Sequence, residues 1–91
     1  MRDDHATLEQ LLLSYVGLLA ERNAYAPGEG FEFMLFDAVG SDEPSPLISQ
    51  EEREELRFLA GQTNLWVTYD LESGMFALID VYEWIEMRLH E

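Results

Sequence analysis

The stretch Phe31-Glu32-Phe33-Met34-Leu35-Phe36-Asp37-Ala38 decides how many strands this chain has. It is short, rich in aromatic residues and bounded by Gly30 and Gly40, a pattern that predicts a β-strand. In such a strand Phe31, Phe33 and Leu35 point to one face and Glu32, Met34 and Phe36 to the other. The remaining elements are then placed around it.

Upstream, a helix is predicted from Leu8 to Arg22, opened by the T-x-x-Q capping pair Thr7 and Gln10 and closed by Asn23, Pro27 and Gly28. At helical spacing Gln10, Ser14, Gly17 and Glu21 form one narrow polar stripe, and nearly every other position is apolar. Such a helix needs cover on more than one side, from its own domain or from a second copy of the chain. Downstream, a loop punctuated by Pro44 and Pro46 leads to a second helix. Ser49 and Glu52 form an S-x-x-E capping box at its start, and Gly61 is a C-terminal stop. Leu65–Asp70 and Met75–Ile79 read as two strands of a hairpin, with Gly74 at a left-handed turn position. A third helix begins at Asp80, capped with Glu83. Its predicted inner face is Val81, Ile85 and Leu89, with Trp84 and Tyr82 at the margins, and Glu83, Glu86 and His90 opposite in water.

The order expected is thus α-β-α-β-β-α in a single α+β domain over 1–91, with 1–6 frayed. A three-stranded, mainly antiparallel sheet packs with the helices. The hairpin and the Phe31 strand form a split β-α-β, with the third strand in the centre.

The chain has 91 residues, 47% of them hydrophobic and 12% aromatic, enough for one core. The absence of Cys excludes a disulfide framework, a cysteine nucleophile and thiolate metal ligands. The acidic N-terminus lacks a signal-peptide layout, and no apolar run reaches the ~20 residues of a membrane span. These features fit a cytoplasmic protein. Nineteen acidic residues face five basic ones, none of them Lys, for a net charge of −14. Such a chain repels nucleic acid and anionic membranes and associates fast with basic surfaces. Three readings of the charge stand: a solvated surface, adaptation to salt, and a decoy for a protein that binds DNA or RNA.

Catalysis needs a convergent set of groups with distinct roles. The two histidines, His5 and His90, lie near the termini. Asp3-Asp4-His5 are adjacent, and neighbours in sequence rarely converge on one metal. Glu86-x-x-x-His90 departs from the Glu-x-x-His spacing of di-iron helices. No serine sits in G-x-S-x-G, and P-loop, G-x-G-x-x-G and EF-hand spacings are absent. The reading is of a non-enzymatic protein without cofactor or metal.

Ser49-Gln-Glu-Glu-Arg-Glu-Glu-Leu56 holds four glutamates. Glu52 is assigned to the helix cap. Glu51, Glu54, Glu55 and Phe58 follow the i, i+3, i+4, i+7 rule and share one arc, opposite Leu56, Leu59 and Ala60. An exposed Phe58 ringed by three glutamates would make a contact patch, extended by Asp37, Asp42 and Glu43 before the helix and by Asp70 and Glu72 at the hairpin.

In size, charge and mix of elements the whole chain resembles the small acidic α+β inhibitors made by phages against bacterial defence, the anti-CRISPR proteins above all. That resemblance implies a stoichiometric inhibitor acting in the cytoplasm of a host bacterial cell. It would bind an Arg/Lys-lined, nucleic-acid-binding channel, as of a CRISPR effector, by nucleic-acid mimicry. The alternatives are an immunity protein that neutralises a basic nuclease toxin, and a homodimeric accessory protein with its seam along the first helix.

Overall fold

In the computed structural model, which describes residues 4–26 and 29–90 (backbone alone at 4 and 5), the Phe31 stretch is a helix. The elements run α1 (Asp4–Arg22), α2 (Phe31–Gly40), α3 (Gln50–Thr63), β1 (Leu65–Asp70), β2 (Met75–Asp80) and α4 (Val81–Leu89). The α+β class stands. The α-β-α-β-β-α order and the three-stranded sheet do not: among the described residues the sheet is the β1–β2 hairpin alone, and the strand expected at Phe31–Ala38 beside the Met75 strand is absent from it.

The reason is visible in α2 itself. Its buried apolar residues Phe31, Leu35, Ala38 and Val39 recur at i, i+4, i+7 and i+8, one face of a helix. A short, almost wholly apolar run satisfies both periods, and tertiary packing decides. Read as a strand, Phe33 and Phe36 point to opposite faces. In the helix they lie three residues apart on one side, and both contact the Trp84 ring, at centroid distances of 5.4 and 4.4 Å. Phe36 also meets Trp66 edge-on, and the Trp66 indole N–H donates to the Glu32 carbonyl at 3.2 Å. Gly30 precedes the helix with a left-handed φ of 81°, a conformation glycine adopts without a Cβ clash.

α1 starts before the predicted Thr7 cap. Leu12, Val16, Leu19 and Ala20 enter the core. The helix packs on α3 and on the hairpin, so its own domain covers two sides and leaves Leu11 and Leu18 exposed. At its end the Asn23 side chain donates to the Leu19 and Leu47 carbonyls. Pro27 and Gly28 lie outside the described residues.

The capping box of α3 is present in both directions: Glu52 N–H donates to Ser49 Oγ at 3.1 Å, and Ser49 N–H donates to Glu52 Oε1 at 2.8 Å. Gly61 does not stop the helix. Buried Thr63 donates to the Leu59 carbonyl and holds the last turn, and Asn64 ends it with φ 57°. The hairpin pairs Leu65 with Asp80 through to Asp70 with Met75, and β2 runs one residue beyond the predicted Ile79. Gly74 takes φ 73°, as predicted.

Asp80 caps α4 by accepting from the Tyr82 and Glu83 N–H groups. The inner face of α4 differs from the predicted one. Val81, Trp84 and Arg88 turn inward, while Tyr82, Ile85 and Leu89 face solvent. Docking of Trp84 on Phe33 and Phe36 sets this rotation, and the Arg88 guanidinium lies over the Phe33 and Trp84 rings at 5.6 and 5.3 Å. Among the described residues no helix is long and apolar enough to cross a membrane.

Arg53 is buried in the inner face of α3. It donates to the carbonyls of Ala38 and Glu43 and to the Gln50 side chain, and so fastens the 41–48 loop to the helix. Arg53→Ala removes three hydrogen bonds donated by a buried guanidinium and should destabilise by about 3 kcal/mol in urea unfolding, with no rescue from Arg53→Lys. Glu32 is the converse case: its Oε1 is buried without a hydrogen-bond partner among the described residues. Glu32→Met, which removes that oxygen at similar length, should raise stability by about 1 kcal/mol in the same assay.

Candidate protein-binding face

The outer arc of α3 follows from its inner one. Leu56 and Leu59 are anchored in the core and Arg53 is bonded beneath the 41–48 loop, so the helix cannot rotate. Glu51, Glu54 and Glu55 are therefore held out in solvent. Phe58 is 56% exposed, although an aromatic ring at the end of a helix commonly folds under a neighbouring segment. Gln50 donates to Glu54 along the helix at 3.2 Å.

Tyr15 of α1 completes the face. With Glu51, Glu52, Glu54 and Glu55 it lines an open cleft of about 550 Å³. Partial burial, then the carboxylates of Glu55 and Glu52, hold the Tyr15 hydroxyl above its ordinary pKa, so the phenol stays protonated and able to donate. Tyr15 was missed in the sequence because the first helix is apolar nearly all round, and no periodicity singles out one margin of it.

Glu52 differs from its neighbours. Arg22 donates to both of its oxygens, at 2.6 and 2.9 Å, and Ser49 N–H donates to one of them. The Arg22 bond is the main reason that the Glu52 carboxyl is lowered to about 2. The remaining described arginines are also engaged. Arg57 donates to the Val39 and Ser41 carbonyls and pairs with Asp42. Arg88 makes a two-pronged pair with Asp37 at 3.0 and 2.9 Å.

The sequence-predicted site residues thus fall into groups. Glu51, Glu54 and Glu55 meet in one cleft, with Phe58 one turn further along the same helix. Asp42 and Glu43 sit on the loop that Arg53 and Arg57 of that helix hold in place, but Asp42 already has a cation beside it. Asp37 is paired between α2 and α4. Asp70 accepts from Glu72 N–H at the hairpin turn, where both residues are apart from α3.

The chain matches no family model, no curated protein and no solved structure.

Because the Glu52 carboxyl lies at about 2 in the fold against an ordinary 4.5, its contribution to stability is complete above pH 4.5 and is lost as pH falls toward 2. Glu52→Gln should therefore unfold at lower denaturant concentration than the parent protein at pH 6. The difference between the two should shrink as the pH is taken down through this window, as followed by tryptophan fluorescence.

Proposed function

We propose that this protein is a non-enzymatic acidic inhibitor that binds a basic, nucleic-acid-binding surface of a target protein, acting as a nucleic-acid mimic in the cytoplasm of a host bacterial cell. An anti-CRISPR-type block of a CRISPR effector is the form the resemblance favours. The observation that carries this reading is the exposed Phe58 beside Glu51, Glu54 and Glu55 on a helix that cannot turn. Nucleic-acid-binding proteins draw much of their affinity from Lys and Arg facing phosphates. Carboxylates spaced along a rigid helix meet the same cations and offer no base to read.

Two features support the reading. The described arginines are consumed by internal carboxylates and carbonyls, so they do not oppose the three glutamates of the cleft. An aromatic ring at the end of the acidic row supplies an anchor that a partner would desolvate, the kind of residue that dominates binding energies when carboxylates alone contribute little. An immunity protein against a basic nuclease toxin would use the same face. The exposed Leu11 and Leu18, one heptad apart on α1, favour as a second reading a homodimer through that helix.

Pull-down from a bacterial lysate should retain a basic nucleic-acid-handling protein at low salt and release it at high salt. Retention of none at low salt contradicts the proposal. Replacing Glu51, Glu54 and Glu55 together by Lys should abolish capture while the circular dichroism spectrum is kept. Phe58→Ala should weaken binding by about tenfold or more yet change stability by less than about 0.5 kcal/mol. Sedimentation separates the second reading, which requires a dimer.

A further inference from the structure

A second surface, on the opposite side of α1 from the acidic cleft, is formed by strand β2. Beyond its ladder with β1, no main-chain hydrogen bond reaches residues 75–80 from elsewhere among the described residues. Val81 N–H donates to the Asn64 carbonyl at 3.0 Å, which makes that pair a bonded one. Counting down the register from it, the alternation of an antiparallel ladder turns the N–H and C=O groups of Phe76 and Leu78 away from β1. Exposed edges of this kind usually carry a lysine, a proline or a bulge that blocks pairing. Met75-Phe-Ala-Leu-Ile-Asp80 has no proline or lysine, and its register with β1 is unbroken.

Beside the start of this strand runs a largely apolar groove of about 350 Å³. Leu13, Gly17, Ala20 and Tyr25 form one wall, Met75 and Phe76 the other, and Glu21 stands at the rim. A strand added along β2 would send alternate side chains toward α1 and into the groove.

We propose that the β2 edge and this groove bind an extended segment of a partner protein in which apolar residues alternate with Arg or Lys. Charge selects this occupant. A net charge of −14, with Glu21 at the rim and Glu72 at the hairpin turn, attracts a basic strand and opposes pairing with a second copy of the same chain. Main-chain bonds to the edge give affinity, and the groove reads every second side chain. This surface is separate from the α3 face and does not depend on it.

The probe is a short peptide of alternating valine and arginine, added to isotopically labelled protein at physiological salt. Its control is the same peptide N-methylated at alternate residues, which keeps charge and composition but removes the donors of one edge. Amide exchange at Phe76 and Leu78 should slow by about tenfold or more with the first peptide and not with the second. Gly17→Arg should weaken the binding by about tenfold or more, since it fills the groove and repels the peptide. A Cβ at Gly17 meets nothing within 4 Å, and the circular dichroism spectrum of the variant checks that its fold is kept. Binding of the two peptides with equal affinity, protection confined to α3, or full affinity in Gly17→Arg each overturns the proposal. So does concentration-dependent protection of Phe76 and Leu78 without peptide, which would assign the edge to a second copy.

Discussion

The position of the Trp84 indole governs this fold. Phe33 and Phe36 of α2 close on it from one helix, and Phe36 carries the contact on to Trp66 in β1. Among the described residues α2 shares no main-chain hydrogen bond with the hairpin or α4, and these rings join it to both. Aromatic pairs of this kind contribute roughly 0.5–1.5 kcal/mol each beyond the area they bury. Their geometry also fixes rotation. Once Phe33 and Phe36 face Trp84, Phe31, Leu35 and Val39 must face the core, and the outer side of α4 is set as well.

A second constraint acts on charge. In a chain with so few cations, each described one is bonded within the fold: Arg22 to Glu52 and the Leu47 carbonyl, Arg53 and Arg57 to the 38–43 segment, Arg88 to Asp37. These guanidinium groups do the fastening that backbone ladders do elsewhere. They cross between helices and a loop that lacks regular structure of its own. The acidic face of α3 is therefore a product of the same bonds that hold the helix in place.

What could be read from the sequence was whatever rests on local chemistry. Ser49 and Glu52 satisfy each other's backbone groups within four residues, the Asp80 side chain accepts the first N–H groups of α4 without a return bond from Glu83, and Gly74 meets a left-handed turn requirement that few residues tolerate. The acidic arc of α3 was legible for a related reason, since apolar Leu56 and Leu59 leave only one way for Glu51, Glu54 and Glu55 to point. What was not legible rests on contacts between distant segments. The apolar run from Phe31 fits two periods, and only the tryptophans at 66 and 84 choose between them. Arg53 reads as one more charge in a charged tract, and its burial follows from carbonyls ten and fifteen residues earlier. The inner face of α4 was misread because Ile85 and Leu89 are more hydrophobic than Arg88, yet Arg88 has two rings and a carboxylate to lie against.

The inward use of arginine divides the surface into parts with unequal freedom to change. An exposed glutamate such as Glu51 or Glu55 can be exchanged, added or lost with little consequence for folding, because nothing structural leans on it. None of the four arginines at 22, 53, 57 and 88 can be lost in the same way without releasing a loop or a helix end. Sequence drift in such a molecule is biased: acidity can rise or fall and be redistributed, while the positive complement is held fixed. A scaffold of this kind lets its outer charge pattern track a changing partner without refounding its core.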